Sequence, residues 1–325
     1  MSDELPSNGP ARVGRVAAVD VARGLALIGM GAYHSIWDLA HFGFVGAGLP
    51  FSAPMRLLAD LVAGSFLALV GASLALAHPE GLRAKAFARR LARIVAAAAL
   101  VTIATFFLDR DEPVYFGVLH CIAAASLIAA PFVGAPVWAA LAAGAAALAA
   151  PYFFAAAAAF NSPALVWLGL GTTPPRTLDW RPLLPWAGVA FVGLALARAL
   201  MPRLTASAAA RWRPASLIGR ALAFAGRHSL AIYLLHQPIL FGLAFAAADL
   251  TGVAERQARD AYLSACPPAC VANGGDAERC AKACLCVADR AEAAGLALGL
   301  APGENAGEAR ERLRSVVEAC GREAR

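Results

Sequence analysis

Seven long apolar runs constrain this chain more than any other feature. Several of them approach the roughly 20 consecutive apolar residues that a helix needs to cross a bilayer. Inside a bilayer the backbone must satisfy its own hydrogen bonds, so each run is predicted to form a helix. The runs lie at about 16–38, 56–77, 91–108, 115–133, 136–156, 183–201 and 221–247.

The composition agrees with a membrane protein. Hydrophobic residues make up 60% of the chain and charged residues 15%, whereas soluble domains average about 25% charged residues. The first residues are polar and lead directly into the first apolar run, so no cleavable signal peptide is predicted. We expect an all-α, polytopic integral membrane helical bundle, with a cytoplasmic N-terminal segment at 1–15 and a transmembrane domain at 16–250.

The cations are distributed unevenly between the two predicted sides of the membrane. With the N-terminus inside, fourteen lie on the inner side and four in the outer loops, and cytoplasmic loops are the ones rich in lysine and arginine. The N-terminus is therefore predicted to be cytoplasmic, and the seventh crossing places residues after about 248 outside. Because topology accounts for the net charge of +6, no nucleic-acid partner is expected. The inner cations are Arg12, Arg15, Arg23, Arg83, Lys85, Arg89, Arg90, Arg93, Arg198, Arg203, Arg211, Arg213, Arg220 and Arg227, and the outer ones are Arg56, Arg110, Arg176 and Arg181.

Six of the seven cysteines lie in the polar tail at 251–325. An even set of cysteines in a short tail favours a disulfide framework if the compartment is oxidising, and the predicted orientation supplies such a compartment. We therefore expect a small, disulfide-stapled, helical extracytoplasmic module. A metal site among the crowded cysteines Cys280, Cys284 and Cys286 is the alternative.

The spacing of these cysteines suggests one pairing among fifteen. Cysteines at i and i+4 share one helix face, so two such pairs would staple a helical hairpin, with Pro267 and Pro268 disturbing its first helix. The predicted disulfides are Cys266–Cys284, Cys270–Cys280 and Cys286–Cys320.

Ionisable side chains within the apolar runs are costly and usually face a bundle interior or an aqueous cavity. At the outer end of the first predicted helix, His34, Asp38 and His41 follow i, i+4, i+7 spacing and share one stripe. A carboxylate beside a histidine can orient the ring and raise its basicity, as a general base requires. This favours a functional role for His34 with Asp38, whereas His41 is equally well explained as a solvated interfacial residue.

Other polar residues lie in later runs or at their inner ends. His236 lies near the middle of the seventh run and therefore needs a partner or a cavity. His120 and His228 are explained equally well by hydrogen bonds that link helices. Arg23 and Arg227 are suited either to binding phosphate or to snorkelling at the interface.

Four segments carry a family resemblance in their order and spacing. They are "AAVDVARGLALIGMGAYH" (17–34), "ADLVAGSFLALVGASLALAH" (59–78), "LLPWAG" (183–188) and "GRHSLAIYLLHQP" (226–238). Together they resemble the bacterial branch of the heparan-α-glucosaminide N-acetyltransferase catalytic-domain family, over about residues 12–245. The resemblance implies a membrane-bound acyltransferase of the bacterial inner membrane, with acetyl-CoA as the cytoplasmic donor and an amine or hydroxyl of an extracytoplasmic glycan or glycolipid as the acceptor.

The resemblance also implies roles for the membrane residues. Eukaryotic members of the family use a histidine just after the first helix, where this chain has His34 and His41. His34, polarised by Asp38, would take the acceptor proton, and His236 or His120 would hold the acyl oxygen or a second proton. The residues fit this assignment by their own chemistry, since guanidinium groups bind phosphate through two hydrogen bonds. The phosphates of acetyl-CoA would be bound by Arg23, Arg227 and His228, with the cluster Arg89, Arg90 and Arg93.

Two other functional classes remain open from the sequence. A transporter or flippase of a sugar or lipid-linked substrate is one, although no inverted repeat relates the two halves as is common in transporters. A b-type haem protein with histidine axial ligands is the other. No metal is expected, and a homo-oligomer is left open.

Overall fold

The chain is all-helical in a computed structural model, which describes residues 16–154, 158–206, 212–296, 298 and 306–324. Eleven helices and no strands occur in these ranges, which confirms the predicted fold class. The helices are α1 (Ala17–His41), α2 (Ala53–Ala77), α3 (Ala84–Leu108), α4 (Val118–Ala129), α5 (Val137–Phe154), α6 (Leu183–Ala206), α7 (Leu217–Arg227), α8 (Ser229–Thr251), α9 (Val253–Ala272), α10 (Ala277–Ala293) and α11 (Ala306–Glu323).

Five of these helices, α2, α3, α5, α6 and α8, are long and apolar enough to cross a membrane. Helix α1 is also 25 residues long, but its ionisable residues make it less apolar than the five. Helix α4 is shorter and continues as one 3₁₀ turn to Val133. The first six predicted runs thus each correspond to one helix, with α3 beginning seven residues earlier than expected, at Ala84.

The predicted seventh run is wrong as a single helix. Helix α7 ends at Arg227 and α8 begins at Ser229, with His228 between them. The His228 imidazole Nδ1 lies 2.9 Å from the carbonyl oxygen of Phe224. A side chain that bonds to a backbone group in this way competes with the regular helical ladder, which accounts for a break that hydrophobicity alone does not reveal.

The chain divides into two compact units, and the first contains residues 1–34 and 51–239. Its core lies between α2 and α6, where Leu67, Leu74 and Leu194 are fully buried. The two helices approach so closely at Gly71 and Gly193 that a Cβ at either position would meet the backbone of the other helix. Small residues allow this contact between membrane helices, where van der Waals packing drives association.

The second unit contains residues 35–50 and 240–325. Disulfides join α9 to α10 through Cys266–Cys284 and Cys270–Cys280, and they join α10 to α11 through Cys286–Cys320. The predicted disulfide tail is therefore confirmed, and its pairing is the one that the spacing suggested.

One expectation for the tail is wrong. Pro267 and Pro268 do not interrupt the first tail helix, because α9 runs without a break from Val253 to Ala272. The cysteines on either side of the two prolines are both bonded to α10, and this fixes the backbone where the missing N–H groups would otherwise weaken the helix.

Candidate active site

A cavity of about 560 Å³ lies among α1, α2, α3, α4, α7 and α8 in the first unit. We call it the donor cavity. Five arginines line it, and Asp20 is the one carboxylate among its described lining residues. The surrounding side chains are mostly apolar, so the guanidinium groups stand against a wall of low polarity, where charges interact more strongly than in water. The arginines are Arg23, Arg83, Arg90, Arg93 and Arg227.

Arg23 is held in place by two side chains of the donor cavity. Its guanidinium contacts the Asp20 carboxylate at 3.2 Å, one turn earlier on α1, and it donates to the hydroxyl of Ser73 on α2. Asp20 is only 2% exposed. A buried carboxylate requires a compensating charge, so the position of Arg23 is tied to that of Asp20.

The wall of the cavity between α1 and α7 depends on two glycines. At Gly226 an added Cβ would collide with the backbone of Asp20, and at Gly24 it would collide with the backbone of Leu222. The two helices therefore cross with their backbones in contact. This crossing places Arg227, next to Gly226, on the same cavity as Arg23.

The two histidines His34 on α1 and His236 on α8 lie against each other. Their ring centroids are 4.9 Å apart in an edge-to-face arrangement. The Nδ1 of His236 lies 2.6 Å from the carbonyl oxygen of Tyr233, and because a carbonyl can only accept, Nδ1 carries the proton. The Nε2 of His236 is buried and has no hydrogen-bond partner among the described residues, so the neutral ring holds a lone pair there.

Tyr233 connects the donor cavity with the histidine pair. Its side chain lines the donor cavity, and its ring centroid lies 5.5 Å from that of His236. One helical turn of α8 therefore leads from the arginine-lined space to the paired imidazoles.

Asp38 is the second predicted catalytic residue of the stripe on α1. It lies four residues after His34 on the same helix, and it is 1% exposed. Residues at this spacing share a helix face. His34 and Asp38 therefore lie on one continuous helix, at the i, i+4 spacing expected from the sequence.

His120 and His228 make their ring contacts with Phe116 and Phe224 rather than with this histidine pair. At the start of α4, His120 places Nε2 3.2 Å from the hydroxyl of Thr102 and accepts the N–H of Gly117 on Nδ1. Both of its ring nitrogens are therefore engaged. The exposed His228 lies at the break after α7 and is not among the residues that line the donor cavity.

His41 lies in the second unit, in a cluster of aromatic rings. Its ring stacks on Trp37, with centroids 5.6 Å apart and planes 9° from parallel, and it also contacts Phe42 and Phe241. These contacts give the ring a packing role at the end of α1.

A separate polar group in the first unit involves the loop before α6. Arg181 contacts Asp60 of α2 at 2.8 Å and lies over the ring of Trp186, 5.2 Å from its centroid. The nearby Asp179 accepts the N–H of Val118 at 2.8 Å and so caps α4. Burial raises the pKa of the Asp179 carboxyl, against the opposing effects of this hydrogen bond and of Arg181.

The sequence did not single out Ser73, and it did not place Tyr233 among the candidate site residues. Both carry a single hydroxyl in an apolar helix, and such residues are common at ordinary helix contacts. The signal that was available for Tyr233 was its spacing, since it precedes His236 by three residues and therefore shares its helix face.

A polytopic helical membrane protein with a polybasic cavity beside paired histidines is the class that these features define. The family model for "Heparan-alpha-glucosaminide N-acetyltransferase, catalytic" matches residues 15–238, more than half of the chain. The protein belongs to this family, which is a family of acetyltransferases that use acetyl-CoA. Comparison with curated proteins and comparison with solved structures each gave no significant match.

Proposed function

We propose that this protein transfers an acetyl group from acetyl-CoA, on one side of the membrane, to an amine or hydroxyl of a glycan or glycolipid on the other. One observation carries the proposal. The arginine-lined donor cavity and the histidine pair share Tyr233 on α8, so a bound anionic donor would have its reactive end directed toward imidazoles.

The donor cavity suits a molecule with several phosphates. Guanidinium groups bind phosphate oxygens through two parallel hydrogen bonds, and the cavity offers five of them against one carboxylate. Asp20 is paired with Arg23, which leaves a net positive wall. We assign Arg23, Arg227, Arg90 and Arg93 to the phosphates of acetyl-CoA.

In the proposed reaction the acceptor nitrogen or oxygen attacks the acetyl carbonyl carbon, and the carbon–sulfur bond breaks to release the thiolate of coenzyme A. His34, on the same helix face as Asp38, takes the proton that the acceptor loses. His236 can accept a proton on Nε2, because its Nδ1–H is held by the carbonyl of Tyr233. His120 has no part in this scheme, since both of its ring nitrogens are engaged elsewhere.

The proposal includes an orientation. The cation asymmetry predicts that the N-terminus and the donor cavity face the cytoplasm, where acetyl-CoA is made, and that the disulfide tail at 251–325 lies outside. We place the protein in the bacterial inner membrane, with the domain at 16–250 carrying the activity.

The test is acetyl transfer from radiolabelled acetyl-CoA into acceptors of membranes that contain the protein. We expect His34→Ala to reduce the rate at least about 100-fold, the usual contribution of a general base, with unchanged protein levels. The matched control is Leu235→Ala, beside His236 but on the exposed side of α8, which should retain activity. Full activity in His34→Ala would show that His34 does not take the acceptor proton. Substrate flux into vesicles without coenzyme A would favour a transporter instead.

A further inference from the structure

Helix α7 is much shorter than the two helices it adjoins, α1 and α8. It has 11 residues and spans only about 16 Å at 1.5 Å per residue, whereas a bilayer core is about 30 Å thick. The following helix α8 is long and apolar enough to cross by itself. The crossing therefore does not need α7.

The faces of α7 have distinct chemistry. Ala223 and Gly226 are buried, and Gly226 packs on the backbone of α1. On the outer side, Leu217 is 81% exposed and Phe224, seven residues later, is 57% exposed. A short helix that turns large apolar side chains outward, with cations along one edge, is typical of helices that lie in the membrane interface.

The two arginines of α7, Arg220 and Arg227, border a second cavity of about 520 Å³, which we call the edge cavity. Arg213, Arg220 and Arg227 line it, and Asp20 is the one carboxylate among its described lining residues. Because Asp20 also pairs with Arg23, the polar part of this wall is net positive. Its remaining lining is apolar and includes Leu217 and Phe224.

We propose that the edge cavity binds the phosphate headgroup of an anionic phospholipid, with Arg213 and Arg220 on the phosphate and the acyl chains along Leu217 and Phe224. Cations and exposed apolar side chains on one short helix match the two parts of a lipid, whereas a free nucleotide would use only the cations. The cation asymmetry predicts this end of the bundle to be cytoplasmic, on the side of the anionic leaflet. The proposal is independent of acetyl transfer.

The test uses the full-length protein, purified in a neutral detergent and titrated with short-chain phosphatidylglycerol or phosphatidylcholine, with bound lipid counted by native mass spectrometry. We expect phosphatidylglycerol to be retained preferentially. The preference should fall about fivefold for each arginine removed in Arg213→Gln and Arg220→Gln. Neither residue lines the donor cavity. The matched control is Arg203→Gln, an exposed arginine of α6 outside both cavities, which should keep the preference.

Three outcomes would overturn the proposal. One is equal retention of the two lipids by the wild-type protein. Another is an unchanged preference in the double variant, which carries both Arg213→Gln and Arg220→Gln. The third is displacement of phosphatidylglycerol by coenzyme A together with weaker acetyl-CoA binding by the double variant, which would assign the edge cavity to the donor. If the double variant melts earlier than wild type, Arg220→Lys serves instead. This substitution keeps the positive charge but removes the planar guanidinium, which can form two hydrogen bonds to a phosphate. The Arg220→Lys protein should therefore show an intermediate preference for phosphatidylglycerol.

Discussion

At the scale of single residues, imidazoles with different surroundings have different uses. His236 has one nitrogen committed to the Tyr233 carbonyl and the other buried without a partner among the described residues. In His120 both nitrogens are engaged. The first arrangement suits proton transfer, and the second stabilises the start of a helix.

His78, at the end of α2, provides a prediction on pH. It is 3% exposed, and its Nδ1 accepts the N–H of Arg83 at 3.2 Å. Burial lowers the pKa of His78, and the charges of Arg83 and Arg90 lower it further. Since the folded pKa lies below the unfolded value of about 6.5, the unfolded state binds more protons in acid, and stability is lost as the pH falls below that value.

We therefore expect His78→Asn, whose amide oxygen can still accept the Arg83 N–H, to have a flatter pH dependence. The measurement is the melting temperature in detergent at about pH 7, 6 and 5, spanning the unfolded pKa. Leu82→Asn, at an exposed position of the same turn, should keep the wild-type slope. A His78→Asn protein that loses stability in acid as steeply as wild type would contradict the prediction.

At the scale of helices, the crossing of α1 and α7 shapes both cavities. Gly226 permits this crossing because it has no Cβ, and the same contact positions Asp20 and hence Arg23. A change at Gly226 therefore acts on the donor cavity through the helix backbone, without removing any of its polar groups.

Gly226→Ala should force α1 and α7 apart and destabilise the protein by about 1–3 kcal/mol, the usual cost of overpacking. The readout is the free energy of unfolding in mixed micelles. The control is Gly242→Ala in α8, where an added Cβ meets nothing within 4 Å. It should be neutral or stabilising by up to about 1 kcal/mol. Equal effects of the two substitutions would show that the crossing is not tightly packed.

At the scale of the whole molecule, a reaction whose donor and acceptor lie on opposite sides of the membrane depends on how the protein is oriented in it. The cation asymmetry predicts the tail outside, and three disulfides in that tail are what an oxidising compartment supports. These two signals are independent, since one comes from arginines in the membrane domain and the other from cysteines beyond it.

In intact cells, a membrane-impermeant reductant should open the tail disulfides, and an impermeant maleimide added afterwards should then label the tail cysteines. Cys121→Ser serves as the background, because Cys121 is the one cysteine outside the tail. In a Lys85→Cys variant whose tail cysteines are replaced by serine, labelling should occur only after the membrane is permeabilised, since position 85 is exposed and predicted to be cytoplasmic. If the tail thiols react only in permeabilised cells, the tail lies in the cytoplasm and the predicted orientation is inverted.

The sequence by itself determined the helical class and six of the seven apolar helices, and it suggested the disulfide pairing that the structure confirms. These features follow from local patterns, because an apolar run of about 20 residues satisfies its backbone hydrogen bonds in a bilayer as a helix and cysteines four residues apart share a helix face. The break between α7 and α8 at His228 is also local, but the hydrophobic pattern does not reveal it. Only the tertiary structure decided that His34 meets His236 and that Tyr233 joins them to the donor cavity. Those relations depend on how helices distant in sequence rotate and pack against one another, and close contacts such as Gly226 on Asp20 set that packing.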